Sequence, residues 1–378
     1  MEDVLKLKES RWDMKPIRIL SPALDLQGEI DNYLSFSFLR RYHSTGEFQL
    51  VTNRKVQNAD KLNINQLIML GADKYKAGII RHKEIKTNEH GEEILTVKGY
   101  TLGAITKQRI TIPLDNQATD IIEADAETVM KHYVKRNCLD ISSMEFPMLD
   151  IAENKNRGPN IKWQSRYKNL EEELGIISNL SGLGWYIYPD FNLKKWIFDI
   201  HNGRNFSVSQ NINPPVILSP EFDNIKSQEY VDSLLDYGNF AIVAGQGEGA
   251  NREIITVGSD DTGLDKHIIF VDARDLENSD DLPRRGEAKL NEHKRVITFQ
   301  SEILSTGPFE YEKDWNLGDI VTVKNKDWGV TMDTRITEVT EIYEAGGFKL
   351  NVTFGKSVPT LTQKIKSALG ELKIESMK

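Results

Sequence analysis

The chain has 378 residues, 57 of them acidic and 48 basic, with a formal net charge of −9. At roughly 150 residues per domain, this length predicts two or three domains. With 39% hydrophobic and 28% charged residues, the composition is that of a soluble folded protein and not of a disordered one. The acidic excess argues against a binder that works by neutralising nucleic-acid phosphates. It suits a channel through which DNA slides without sticking. The single cysteine, Cys138, excludes an internal disulfide, and no Cys/His spacing resembles a zinc site. No apolar run approaches the roughly 18 residues that a membrane span needs. The opening stretch MEDVLKLKES lacks a signal-peptide core, so the simplest expectation is folding in a reducing cytoplasm.

Residues 15–113 read as mostly β. Ile17-Arg18-Ile19-Leu20 opens a strand, and Leu34-Ser35-Phe36-Ser37-Phe38 alternates with the period of a half-buried strand. Phe48-Gln49-Leu50-Val51, Leu67-Ile68-Met69-Leu70, Lys76-Ala77-Gly78-Ile79-Ile80 and Ile94-Leu95-Thr96-Val97 follow, separated by turn residues. Short strands at this spacing predict a small barrel or sandwich.

Residues 114–225 change character. Helical spacing predicts helices over 126–137, with Asp125 as N-cap, and over 170–180, stopped at Gly182-Leu183-Gly184. Two aromatic strands follow, Trp185-Tyr186-Ile187-Tyr188 and Trp196-Ile197-Phe198-Asp199-Ile200, making an α+β insert. Pro214-Pro215 and Pro220 predict a stiff exit.

From about 225 the pattern returns to β. Strands are predicted at 239–244, 252–257, 296–303, 320–323, 335–342 and 348–354, with helices at 283–294 and 360–372. The division is therefore 1–113, a first β module; 114–225, the insert; 226–359, a second β module with a helix; and 360–378, a terminal helix and tail. A weak internal repeat supports two similar modules. Leu67-Ile68-Met69-Leu70-Gly71, Gly78, Arg81, Gly91 and Leu95-Thr96-Val97 are echoed by Leu317-Gly318-Asp319-Ile320-Val321-Thr322-Val323, Gly329, Arg335, Gly346-Gly347 and Leu350-Asn351-Val352.

No catalytic constellation emerges. Gly245-Gln246-Gly247-Glu248-Gly249-Ala250 fits a dinucleotide fingerprint, but the β-like Glu253-Ile254-Ile255-Thr256-Val257 follows where a helix is needed. The glycines therefore read as a hairpin. Asp260-Asp261-Thr262-Gly263-Leu264-Asp265 and Asp280-Asp281 lack calcium-loop spacing and read as solvated loop. Glu171-Glu172-Glu173 favours a helix start, and no carboxylate pair stands out for glycoside hydrolysis. Cys138, with His132 on the preceding helix, reads as buried or idle rather than nucleophilic. Trp185, Tyr186, Tyr188, Phe191, Trp196 and Phe198 read as a core face plus an interface, with a sugar-binding surface as the alternative.

Several stretches resemble the tail-hub family of siphovirus-type phages and prophages, related to the hub of contractile tails and to the N-terminal part of tail-associated lysins. They are Phe36-Ser37-Phe38-Leu39-Arg40-Arg41-Tyr42 with Gly46-Glu47-Phe48; Ala244-Gly245-Gln246-Gly247-Glu248-Gly249 with Arg252; Asp272-Ala273-Arg274-Asp275-Leu276; and Leu317-Gly318-Asp319-Ile320-Val321 with Arg335-Ile336-Thr337-Glu338-Val339. They run from about residue 16 to 357 in the family's order.

The resemblance implies a mainly β fold, with two tail-tube-like β-barrel modules flanking the α/β middle domain, and a homotrimer. It implies a non-enzymatic baseplate hub at the virion tail tip, acting as a conduit for DNA ejection. The implied neighbours are the distal tail protein, the tape-measure protein, the tail tube and the tip or receptor-binding proteins. DNA passes transiently and non-specifically; no cofactor, metal or membrane span is implied. Longer relatives carry an enzyme after the hub portion, and this sequence ends at Lys378, so a separate tip protein is expected instead. The rival readings are a carbohydrate-binding tail-tip module and a cell-wall hydrolase.

Overall fold

The computed structural model describes residues 14–276, 278–304 and 307–355. They fall into two units, one built from 14–228 with 301–352, the other from 229–300 with 353–355. The expected terminal helix at 360–372 and the opening ten residues lie outside the described residues.

The first unit begins with β1 (Ile17–Leu20), β2 (Leu26–Ile30), β3 (Ser35–Arg41) and β4 (Glu47–Asn53). Alternation decides their faces: Phe36 and Phe38 of β3 and Phe48 and Leu50 of β4 are all buried, the two-residue period of a one-sided strand. β5 (Leu67–Leu70), β6 (Ala77–Thr87) and β7 (Glu93–Thr101) then form an antiparallel meander.

The insert holds a one-turn helix α1 (Ala104–Lys107), β8 (Asp120–Asp125), α2 (Ala126–Lys135), β9 (Leu149–Ile151), β10 (Asn160–Ser165), α3 (Leu170–Ser181), β11 (Gly184–Asp190) and β12 (Lys195–His201). Asp125 caps α2 by accepting from Thr128 N at 2.9 Å, which satisfies one of the orphan donors of the first turn. α3 ends at Gly182 in the left-handed conformation, φ 73°. The two helices bury Val129, Tyr133, Leu174 and Ile177 in one core with Trp185, Trp196 and Phe198.

β13 (Ile217–Leu218) departs from the expected stiff exit. It runs parallel to β19 (Ile320–Asn325), and Leu218 is fully buried. The prolines before it thus lead into packed sheet, because the apolar Val216 and Leu218 find a partner strand.

The remaining long strands are β14 (Ile225–Ser233), β18 (Val296–Ile303), β20 (Val330–Glu344) and β21 (Gly347–Gly355). The main sheet has the order β14-β18-β21-β20-β3-β4-β7-β6-β5-β1-β2, with β19 and β13 branching from β20. The two segments that echo each other in sequence are both three-strand meanders, β5–β6–β7 and β19–β20–β21. Gly71 and Gly329 occupy corresponding first turns at φ 57° and 65°, backbone that glycine adopts at little cost.

The fold is mainly β with an α+β insert. Among the described residues, however, the pairing gives one large sheet with open ends and no closed barrel. The reason is the junction of β3 with β20, from Ser35↔Glu344 to Arg41↔Glu338, which merges the first and last β segments.

The second unit contains β15 (Phe240–Ala244), β16 (Ile254–Gly258), β17 (Ile268–Asp272) and α4 (Leu282–Glu292). β15 is central, antiparallel to β16 and parallel to β17. β17 was not expected from sequence. Ala241, Val243, Val271 and Leu282 form the core beneath the helix. Gly286 lets α4 approach closely, since a Cβ there would lie 2.7 Å from Val243 Cγ2.

Candidate functional site

Tyr42 follows β3 directly and is almost wholly buried. Its hydroxyl lies 3.1 Å from Gly182 O and 3.0 Å from His201 O, and it accepts from Gly203 N at 3.2 Å. One phenol thus joins the end of β3 to the end of α3 and the end of β12. The Arg335 guanidinium of β20 stands 5.0 Å from the ring centroid and donates to Gly318 O at 2.5 Å, a cation–π contact inside the protein.

Glycine is required around this ring. A Cβ on Gly318 (φ 90°) would come 2.2 Å from Tyr42 Cε2, and one on Gly184 would come 2.4 Å from it. Asp319, also buried, accepts from Arg204 N at 2.7 Å and Asn316 N at 2.9 Å. Burial holds the His201 ring below its ordinary pKa, and its Nε2 lies 2.9 Å from Leu317 O. Tyr42, Gly318, Asp319 and Arg335, drawn from two distant stretches that carried the resemblance, therefore meet at one junction.

A second cluster lies along the same strands. Lys76 Nζ sits 2.7 Å from both Glu312 Oε1 and Glu341 Oε1, with Lys76 and Glu341 each 1% exposed. Glu341 also accepts from Tyr311 at 3.0 Å and Tyr343 at 2.7 Å. Arg40 donates to Tyr311 and, at 3.2 Å, to Asn316 Oδ1. Burial pushes the Glu341 pKa upward, but Lys76 and Arg40 more than offset this and keep it below the usual carboxylate range. The buried Lys76 and Glu341 are thus paired, with Glu312 and, at 3.5 Å from Lys76 Nζ, Asp73 at the more open side, as buried charge must be to be tolerated. The geometry is that of a tether between the turn before β6, β3 and β20. Sequence reading missed it, although one signal was present: Glu341 falls between Val339 and Tyr343 on the inward side of β20.

The sequence candidates fare as follows. Gly245–Arg252 forms the β15–β16 connection, with a helical turn at Gly249–Asn251 and then a strand. Arg252 pins it by donating to Gly245 O and Ala244 O, each at 2.9 Å, and to Asp272. Residues 259–265 are an exposed connection in which Asp261 accepts from Asn239 and Ser259. Glu171 accepts from Thr45 N at 2.9 Å, and Glu173 from Trp163 Nε1 at 2.8 Å.

Cys138 is buried, and burial pushes its thiol up to about 12. His132 turns to Asp120 at 2.9 Å and does not meet it as a base. Of the aromatic stretch, Trp185, Trp196 and Phe198 are core. Tyr186 and Tyr188 pack against Tyr75 at 5.3 and 5.4 Å, and Phe191 is exposed. The tryptophans therefore offer no open platform for a sugar. Among the described residues, no helix is long and apolar enough to cross a membrane.

The β-rich fold is similar to those of solved phage and prophage tail proteins. The chain belongs to the Siphovirus ReqiPepy6 Gp37-like protein family, whose profile matches residues 16–356. The solved tail protein from Neisseria meningitidis MC58 is similar at 13% identity and TM-score 0.58, over 90% of this chain and 96% of that one. The 43 kDa tail protein of prophage MuSo2 from Shewanella oneidensis is similar at 12% identity and TM-score 0.57, over 90% and 98%. Prophage tail protein gp18 from Listeria monocytogenes EGD-e gives 10% and 0.53, over 95% and 99%. No curated protein sequence matches significantly.

Proposed function

We propose that this protein is a non-enzymatic, trimeric hub at the virion tail tip. In this reading it continues the tail tube, joins it to the tip or receptor-binding apparatus, and forms a conduit for DNA ejection. The observation that carries the reading is the pair of meanders, β5–β6–β7 and β19–β20–β21, within one chain of a tail-protein family. Segments 1–113 and 226–359 act as two tube-like modules, with 114–225 as an outward spacer. Three chains then supply six pseudo-equivalent units, which mate with a hexameric tube while presenting three-fold symmetry to the tip. Heterologous contacts close such a ring. The distal tail protein, the tape-measure protein and the tail tube are its neighbours.

The net charge of −9 suits a lumen that repels DNA and so lets it pass. The test is the mass of the purified protein by light scattering, with negative-stain images. A trimer with a central hole is expected. A monomer that also fails to co-assemble with tail-tube protein overturns the reading. A basic lumen in a solved trimer overturns the charge argument alone.

A further inference from the structure

Asn202-Gly203 is the one Asn-Gly pair in the sequence, and it directly follows β12. Asn202 is exposed. Packing dictates the glycine: a Cβ at position 203 would lie 1.7 Å from Gly318 O and 2.3 Å from Gly318 C, a backbone approach that only glycine allows. The missing side chain has a chemical consequence. With no Cβ beside it, the Gly203 nitrogen is the least hindered backbone nucleophile that an asparagine side chain can meet.

The reaction open to this pair is ring closure. The Gly203 nitrogen bonds to Asn202 Cγ as the Cγ–Nδ2 bond breaks. Ammonia leaves, carrying the proton that the Gly203 nitrogen gives up. Solvent water then opens the succinimide at either carbonyl, leaving aspartate or isoaspartate at position 202.

The fold withholds both requirements of the first step. The nitrogen must give up its proton, and it must come within near-attack distance of Cγ. Here the Gly203 N–H is engaged by the Tyr42 hydroxyl at 3.2 Å. The chain is clamped on both sides: His201 Nε2 lies 2.9 Å from Leu317 O, Arg204 N donates to Asp319 Oδ1 at 2.7 Å, and Ile320 N donates to Arg204 O at 2.8 Å. Turning the 202–203 peptide plane breaks the Tyr42 bond and disturbs the contact with Gly318.

We propose that Asn202 is a deamidation site that the Tyr42 junction holds closed, and that it converts only when this junction opens. The rate of conversion then follows the population of the locally opened form. Conversion is one-way. Isoaspartate adds a carbon to the main chain between positions 202 and 203, and a segment pinned at His201 and Arg204 has no slack for it. A converted junction does not close as before.

Full-length protein held in mildly alkaline buffer and then mapped by peptide mass tests this. Native wild type is expected to stay unconverted at 202 while the same chain in denaturant converts. Asn202→Gln is expected to abolish the signal, because its longer side chain must close a larger ring. Folded Tyr42→Phe is expected to convert at least about fivefold faster than wild type, the least that losing one buried hydrogen bond implies. Glu341→Gln is the control for general destabilisation: it leaves the Gly203 bond to Tyr42 in place, and is expected to convert at the wild-type rate under folding conditions.

Native wild type that converts as fast as the denatured chain overturns the protection. No conversion at 202 in denaturant overturns the site itself. A wild-type rate in Tyr42→Phe, or equal acceleration in Tyr42→Phe and Glu341→Gln, overturns the junction as the gate. Refolded isoaspartate-bearing protein that unfolds at the same denaturant concentration as the unconverted chain overturns the one-way consequence.

Discussion

Lys76 Nζ lies 2.7 Å from Glu341 Oε1, with both side chains shut off from solvent and Arg40 and Glu312 completing the group. Removing one member of a buried pair leaves an uncompensated charge, at about 3–5 kcal/mol. Lys76→Met and Glu341→Gln are each expected to destabilise the protein on that scale in denaturant unfolding. The double variant Lys76→Met/Glu341→Leu is expected to recover part of the loss. A double variant whose loss is the sum of the two singles would show that the residues do not act as a pair.

Tyr42→Phe deletes a hydroxyl that accepts from Gly203 N and donates to the ends of α3 or β12. A buried donor left without its partner costs about 1–3 kcal/mol. Gly318→Ala is expected to cost more. It combines a φ of 90° with a Cβ only 2.2 Å from the ring. Paired unfolding curves check the order, and a harmless Gly318→Ala contradicts this account of the junction.

Acid is expected to loosen the insert. Burial would raise the Glu127 pKa, but hydrogen bonds from Arg157 and Lys131 hold it at about 2, against an ordinary 4.5. The folded state therefore binds this proton more weakly than the unfolded state. The stability contributed is full above pH 4.5 and is lost as pH falls toward 2. The lowered pKa of His201 adds a loss of the same sign that begins below its ordinary 6.5. Unfolding free energy measured from neutral to acid pH is expected to fall, and Glu127→Gln is expected to flatten the lower part of the curve.

Cys138 is expected to resist thiol reagents in the native protein. Its pKa of about 12 leaves little thiolate, and burial denies access. Labelling followed by mass is expected to track unfolding as denaturant rises. Rapid native labelling would mean that the turn after α2 opens readily.

The single-element outcomes explain what sequence reading can reach. The period-two runs around Phe36 and Phe38, the Asp125 cap and the glycine stop at Gly182 are local signals, and each produced the expected strand or helix end. β17 escaped because its Ile268-Ile269-Phe270-Val271 run has no polar alternation: one face packs under α4 and the other is apolar but exposed. The tail-protein family was legible because its stretches recur in order along the chain.

The sequence by itself thus determined most of the strands and helices and the two meanders, which depend on neighbours within a few tens of residues, and the family, through stretches spread in order along the chain. Only the tertiary structure decided that β3 pairs with β20, and so that the first and last β segments share one open sheet. Only it brought Tyr42 to Arg335 and Lys76 to Glu341. The physical reason is that strand pairing is satisfied equally well by any edge of suitable register. The choice of partner falls to buried charge and close packing between residues distant in the chain.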